Sequence, residues 1–185
     1  INCFSDVYIT GSGVGAILGF GFHTSHHYGD VIIENCYSKG EVSSSTITNT
    51  NGICGSRMNT HGNMPSYSNG ETPPDPENIY PTVTVKKCYT LIDIKDGAGI
   101  VGKEPLYYSR YSQLIIEDCY SISADVGIVG EGISRHDDGY NRTATIKNCW
   151  TKCSKLQDSP GSQNEDETDK ITYDGTNELD LSSSN

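Results

Sequence analysis

The sequence predicts an all-β fold: a parallel β-solenoid of about five rungs, with a long inserted loop and an acidic C-terminal tail. Three observations carry this expectation. A short phrase recurs five times, a glycine-bounded apolar block recurs between its copies, and strand-like alternation precedes the later copies. The phrase is apolar, variable, Asn/Asp/Lys, Cys, aromatic, Ser/Thr. It stands as Ile1-Asn2-Cys3-Phe4-Ser5, Ile33-Glu34-Asn35-Cys36-Tyr37-Ser38, Val85-Lys86-Lys87-Cys88-Tyr89-Thr90, Ile116-Glu117-Asp118-Cys119-Tyr120-Ser121 and Ile146-Lys147-Asn148-Cys149-Trp150-Thr151. A repeat at a fixed period means that each copy buries its apolar face only by stacking on the next. The repeated cysteines stand at positions 3, 36, 88, 119 and 149. The period is therefore about thirty residues, with about twenty extra in the second rung.

Each element has its own warrant. Val31/Ile33, Val83/Val85, Leu114/Ile116 and Ala144/Ile146 sit two residues apart, which is strand periodicity. The cysteine follows three residues later, so the parity flips between strand and cysteine. Asn35, Asp118 and Asn148 occupy the flip. Asn and Asp tolerate left-handed backbone, so a corner there turns both flanking side chains inward. Lys87 stands at the same place in its copy, which is expected to bend differently. The outward strand position reads Glu34, Lys86, Glu117, Lys147. If copies stack in order and in register, opposite charges face each other along that column.

The second block reads Ala16-Ile17-Leu18-Gly19, Gly52-Ile53-Cys54-Gly55, Gly99-Ile100-Val101-Gly102 and Gly127-Ile128-Val129-Gly130. It predicts a short buried strand between tight turns, since glycine allows close backbone approach. No long window shows helical periodicity. Residues 1–153 form the repeat region. Residues 56–82, with Pro65, Pro73, Pro74, Pro76 and Pro81, form a long surface loop bulging from it. Residues 154–185 lack the repeat and carry the acidic run Glu165-Asp166-Glu167 and Asp169. Ile171-Thr172-Tyr173 and Leu179-Asp180-Leu181 are candidate strands for a partial cap over the last rung.

Seven cysteines cannot all pair within one chain. Stacked strands lie about 4.8 Å apart, inside the Cα window for a disulfide. In-register side chains nevertheless point the same way rather than at each other. Cys3, Cys36, Cys88, Cys119 and Cys149 are therefore expected as a column of small buried thiols. Cys149 and Cys153 are the strongest candidates for an exception. No CxxC pair or Cys/His spacing indicates a metal centre.

Composition narrows the function. Apolar content of 34% and 20 glycines are thin for a conventional core but suit a narrow apolar seam. A net charge of −11 argues against nucleic acid and against anionic membrane surfaces. No apolar run reaches the roughly 18–20 residues of a membrane span; Val14 to Phe22 is broken by Gly15, Gly19 and Gly21. There is no initiator Met or signal peptide, and residue 1 already lies inside a repeat. The chain is therefore expected to be a processed product or an excised segment of a longer solenoid.

The paired phrases resemble the GLUG-motif repeats, in which an "NCYS-G-V" strand precedes a "GGLVG"-like block. The closest matches are Asn35-Cys36-Tyr37-Ser38-Lys39-Gly40-Glu41-Val42, Gly99-Ile100-Val101-Gly102 and Gly127-Ile128-Val129-Gly130. The chain departs from the pattern at Cys54, at Ala16 and in the 56–82 insertion. The resemblance implies a β-solenoid of the kind found in bacterial surface and adhesin-like chains, and in Cys-rich form in large DNA viruses.

Candidate binding residues cluster in loops. Phe22-His23-Thr24-Ser25-His26-His27-Tyr28 places His23, His26 and His27 together, a weak candidate for a transition-metal site. The equivalent loops hold Tyr107, Tyr108, Arg110 and Tyr111, and Arg135, His136, Asp137, Asp138 and Tyr140. Aligned along one side, these aromatic and cationic residues would suit glycans or a protein partner. A polysaccharide lyase or hydrolase needs paired carboxylates or a Ca²⁺ site. Asp137/Asp138 is the only dense candidate, and the neighbouring loop offers no carboxylate. Asn141-Arg142-Thr143 is a glycosylation sequon, relevant only on a eukaryotic secretory route. The expected function is structural or adhesive, without catalysis or cofactor, at a cell or virion surface. Its partners would be copies of itself, neighbouring fibre proteins or glycans. A carbohydrate-binding module is the alternative and a polysaccharide-active enzyme the third reading.

Overall fold

A computed structural model describes residues 1–19, 30–42, 50–56, 82–94, 96–103, 105–106, 113–122, 127–130, 143–152, 170–174 and 177–178. These residues contain β-strands and no helix. The strands are β1 (Phe4–Ile9), β2 (Val31–Glu34), β3 (Tyr37–Val42), β4 (Thr82–Lys86), β5 (Tyr89–Thr90), β6 (Gln113–Glu117), β7 (Tyr120–Ser121), β8 (Thr143–Lys147), β9 (Trp150–Thr151), β10 (Lys170–Asp174) and β11 (Asn177–Glu178).

They divide into two parallel sheets. One runs β1-β3-β5-β7-β9-β11, the other β10-β8-β6-β4-β2. Every neighbour in either sheet is the next copy in sequence. Register is exact across copies: Val85 pairs with Ile116 and Ile116 with Ile146, while Tyr37 pairs with Tyr89, Tyr89 with Tyr120 and Tyr120 with Trp150. The glycine blocks form a third line of contact. They are joined by isolated parallel bridges, Leu18 to Cys54, Cys54 to Val101 and Val101 to Val129, rather than by the expected short strands.

Between the sheets the corner is uniform. Asn2, Asn35, Lys87, Asp118 and Asn148 have φ of 58°, 54°, 52°, 53° and 49°. The expectation that Lys87 bends differently is corrected: it is as left-handed as its counterparts. Left-handed backbone costs an L-residue roughly 1–2 kcal/mol, less for Asn and Asp. Stacking imposes it here. The corner N–H of Asn35, Lys87 and Asp118 donates to the carbonyl of Lys86, Glu117 and Lys147 respectively, at 3.1, 2.9 and 3.1 Å. That bond offsets the strain at Lys87.

The core follows from the alternation. Val83, Val85, Leu114, Ile116, Ala144 and Ile146 face inward and pack with Ile53, Ile100, Val101, Ile128 and Val129 of the glycine blocks. A second cluster gathers Ile9, Ile92 and Ile94 beside Val7, Val14, Ala16 and Val42. The inserted region 56–82 lies mostly outside the described residues, but its ends belong to the fold: Ser56 is buried and Thr82 opens β4. The tail also joins the sheets. β10, containing Ile171-Thr172-Tyr173, pairs with β8, and β11 pairs with β9. Leu179-Asp180-Leu181 lies outside the described residues.

Candidate functional site

Because equivalent residues stack in register, the side chains form columns. Four of them carry chemistry.

The first is charged. Lys86 Nζ lies 3.3 Å from Glu34 and Lys147 Nζ lies 3.5 Å from Glu117. Register places Lys86 beside Glu117. Lys39 and Asp6 pair at 2.9 Å in the other sheet, and this bond with the carboxylate raises the Lys39 pKa.

The second column is hydroxyl and buried. Ser38, Thr90, Ser121 and Thr151 are each fully enclosed. The Ser38 hydroxyl donates to the Gly52 carbonyl at 2.5 Å and shares a hydrogen bond with Thr90 Oγ1 at 2.9 Å. The Ile92 N–H donates to Thr90 Oγ1 at 3.3 Å. This column explains the leading glycine of the recurrent block. A Cβ on Gly99 would collide with Ser121 Oγ and the Gly127 carbonyl, and one on Gly127 with Thr151 Oγ1.

The third column is aromatic and faces outward. Phe4 and Tyr37 stack at 4.3 Å between ring centroids, Tyr37 and Tyr89 at 4.7 Å, and register carries the column to Tyr120 and Trp150. Phe4, Tyr89 and Trp150 are 54%, 40% and 39% exposed, and Leu91 beside them is 43% exposed. Stacking turns the faces of Phe4, Tyr37 and Tyr89 toward one another. That stretch therefore presents ring edges and hydroxyls to solvent.

The fourth is the thiol column. Cys36, Cys88, Cys119 and Cys149 are buried and free, as is Cys54. Cys3 departs from expectation: β1 is an edge strand, and its thiol is exposed. Each interior thiol reaches the carbonyl two residues back, Cys36 to Glu34 and Cys88 to Lys86 at 3.2 Å, Cys119 to Glu117 and Cys149 to Lys147 at 3.3 Å. Successive thiols are neighbours along the column and shift one another's titration. The neighbouring Cys119 thiol draws the Cys88 pKa down to about 7 and lowers that of Cys149. The neighbouring Cys149 and then Cys88 thiols, with burial, push Cys119 up, and burial, followed by the nearby Cys88 and Cys36 thiols, pushes Cys54 well up.

The loop residues predicted to bind, Tyr107, Tyr108, Arg110, Tyr111, His136, Tyr140, His23, His26 and His27, lie outside the described residues, as do Asp137, Asp138, Asn141 and Cys153. The aromatic and hydroxyl columns were not anticipated as such. Their signal was in the phrase: if cysteine points inward, the aromatic after it must point out and the Ser/Thr after that must point in. No family model matches the chain, and no curated protein or solved structure shows a significant similarity to it.

Proposed function

We propose that the chain is a stretch of parallel β-solenoid of about five rungs that acts by contact. It would serve as a structural or adhesive segment of a surface fibre, adhesin stalk or virion surface. One observation carries this reading: in both sheets every described surface column runs from copy to copy in unbroken register. The exposed charges and rings are therefore spread as a periodic strip. Such a strip suits a long repeated contact with a neighbour, whereas turnover needs groups that converge on a point. β10 and β11 would close one end of the stack.

Immunolabelled electron microscopy of the source material tests this. Copies ordered along a fibre or over a particle surface would support it. Dispersed single molecules away from any surface would count against it.

A glycan-binding module is the second reading. The half-exposed Phe4, Tyr89, Leu91 and Trp150 favour it, since a contiguous exposed apolar strip marks a binding surface. A glycan array probed with the intact chain and with Tyr89→Ala separates it from pure scaffolding. Binding lost in the variant supports this reading, and an array without signal removes it.

A further inference from the structure

The thiol column holds chemistry that neither packing nor surface contact uses. Cys36, Cys88, Cys119 and Cys149 are at most 1% exposed and none is in a disulfide. Their chain neighbours pair in register, Tyr37 with Tyr89, Tyr89 with Tyr120, Tyr120 with Trp150, so successive cysteines are one strand spacing apart, about 4.8 Å. Cys36, Cys88, Cys119 and Cys149 thus stand one above another as a row of buried thiols, each reaching a backbone carbonyl.

Among the described residues no three His, Cys, Asp or Glu side chains are grouped to hold a metal ion, so a tetrahedral centre of the zinc type is not built here. Soft ions that favour sulfur, copper(I) among them, can instead be held by two sulfurs in line. With a metal–sulfur bond of about 2.3 Å, a linear sulfur–metal–sulfur unit spans about 4.6 Å, close to the strand spacing of about 4.8 Å.

We propose that Cys36, Cys88, Cys119 and Cys149 form a binding column for a soft monovalent cation of the copper(I) class, held in line between successive sulfurs. The exchange balances without a redox step. One ion displaces one of the two protons of a neighbouring thiol pair, leaving one sulfur as thiolate and the other as thiol. One positive charge enters and one leaves, so the interior gains no net charge, which burial would penalise. The remaining thiol hydrogen has a carbonyl at hand. Cys88, Cys119 and Cys149 Sγ lie 3.6, 3.5 and 3.7 Å from the oxygens of Ile33, Val85 and Ile116.

The test uses the full chain, reduced and free of oxygen, titrated with copper(I) delivered from a coloured copper(I) chelator. Bound metal is counted after gel filtration and its ligands are read by X-ray absorption. The expected result is more than one copper per chain, each with two sulfur neighbours and no nitrogen. Cys119→Ser, in the interior of the column, should at least halve the capacity. Absence of retained copper overturns the proposal. So does nitrogen coordination, or full capacity in a variant with Cys36, Cys88, Cys119 and Cys149 all changed to alanine. Should Cys119→Ser fail to fold, the absorption spectrum of the unaltered chain decides alone.

Discussion

In the sheet of β2, β4, β6, β8 and β10 the inward positions are aliphatic, with Val83, Val85, Leu114 and Ile116 among them, and the outward positions include a column of charge. In the sheet of β1, β3, β5, β7, β9 and β11 Ser38, Thr90, Ser121 and Thr151 point in, and Phe4, Tyr37, Tyr89, Tyr120 and Trp150 point out. The second arrangement inverts the usual pattern, and what lies opposite explains it. The aliphatic side chains fill the space between the sheets. The hydroxyls lie against glycine backbone, where Gly52 offers a carbonyl at 2.5 Å and leaves no room for a larger group. With the interior filled by small residues, the large apolar residue of the phrase goes outside, where its neighbours cover its faces.

If this contrast is right, the aliphatic side should be the more sensitive to truncation. Ile116→Ala should cost about 4 kcal/mol through lost burial and a cavity between two intact copies, read as a fall in the denaturant midpoint. Gly99→Val tests the hydroxyl side from the opposite direction. Its Cβ meets Ser121 Oγ and the Gly127 carbonyl, so a loss of about 3 kcal/mol is expected. A melt unchanged in that variant would mean the block does not lie against the column. Thr90→Val keeps the shape but removes a partner of the Ser38 hydroxyl and of the Ile92 N–H. It should cost about 2 kcal/mol.

The strand alternation, the corners at Asn35, Asp118 and Asn148 and the charge column were legible because each rests on one residue's intrinsic preference. Lys87 was not, because stacking imposes its conformation against its own preference. The strand at Lys170–Asp174 was legible from Ile171-Thr172-Tyr173, but its place in the stack was hidden by lost landmarks. Register sets Tyr173 beside Ile146 and Asn177 beside Trp150, so Thr176 falls in sequence where the cysteine would be. The burial of Cys36 and the exposure of Cys3 differ only because β1 is an edge, which no single phrase reveals. The outward aromatics were present in every copy, yet an aromatic beside a cysteine looks like core until parity is followed.

Two milder perturbations probe the thiols and the charge column. Cys88, drawn down to about 7, favours the folded state once the pH exceeds that value, up to the usual thiol value of 9.0. Cys54 and Cys119, held neutral, contribute stability below 9.0 that is lost as the pH climbs beyond it. Melting temperature should therefore rise from about pH 7 toward about pH 9 and decline above it; a monotonic fall across the range would remove Cys88 from the account. Smallest of all, Glu117→Lys places like charge beside Lys147, 3.5 Å away in the native pair, and beside Lys86. It should cost roughly 0.5 kcal/mol at low salt and less at high salt.

The central claim is that each copy bonds to the next in parallel register, and backbone hydrogen bonds report this directly. Scalar couplings measured by NMR across hydrogen bonds should join the Tyr89 amide to the Cys36 carbonyl, Tyr120 to Cys88 and Trp150 to Cys119, bonds of 3.1, 2.9 and 2.9 Å. Finding all three is the predicted result. Coupling of these amides to carbonyls within their own copy, or a shift of register by even one residue, would contradict it.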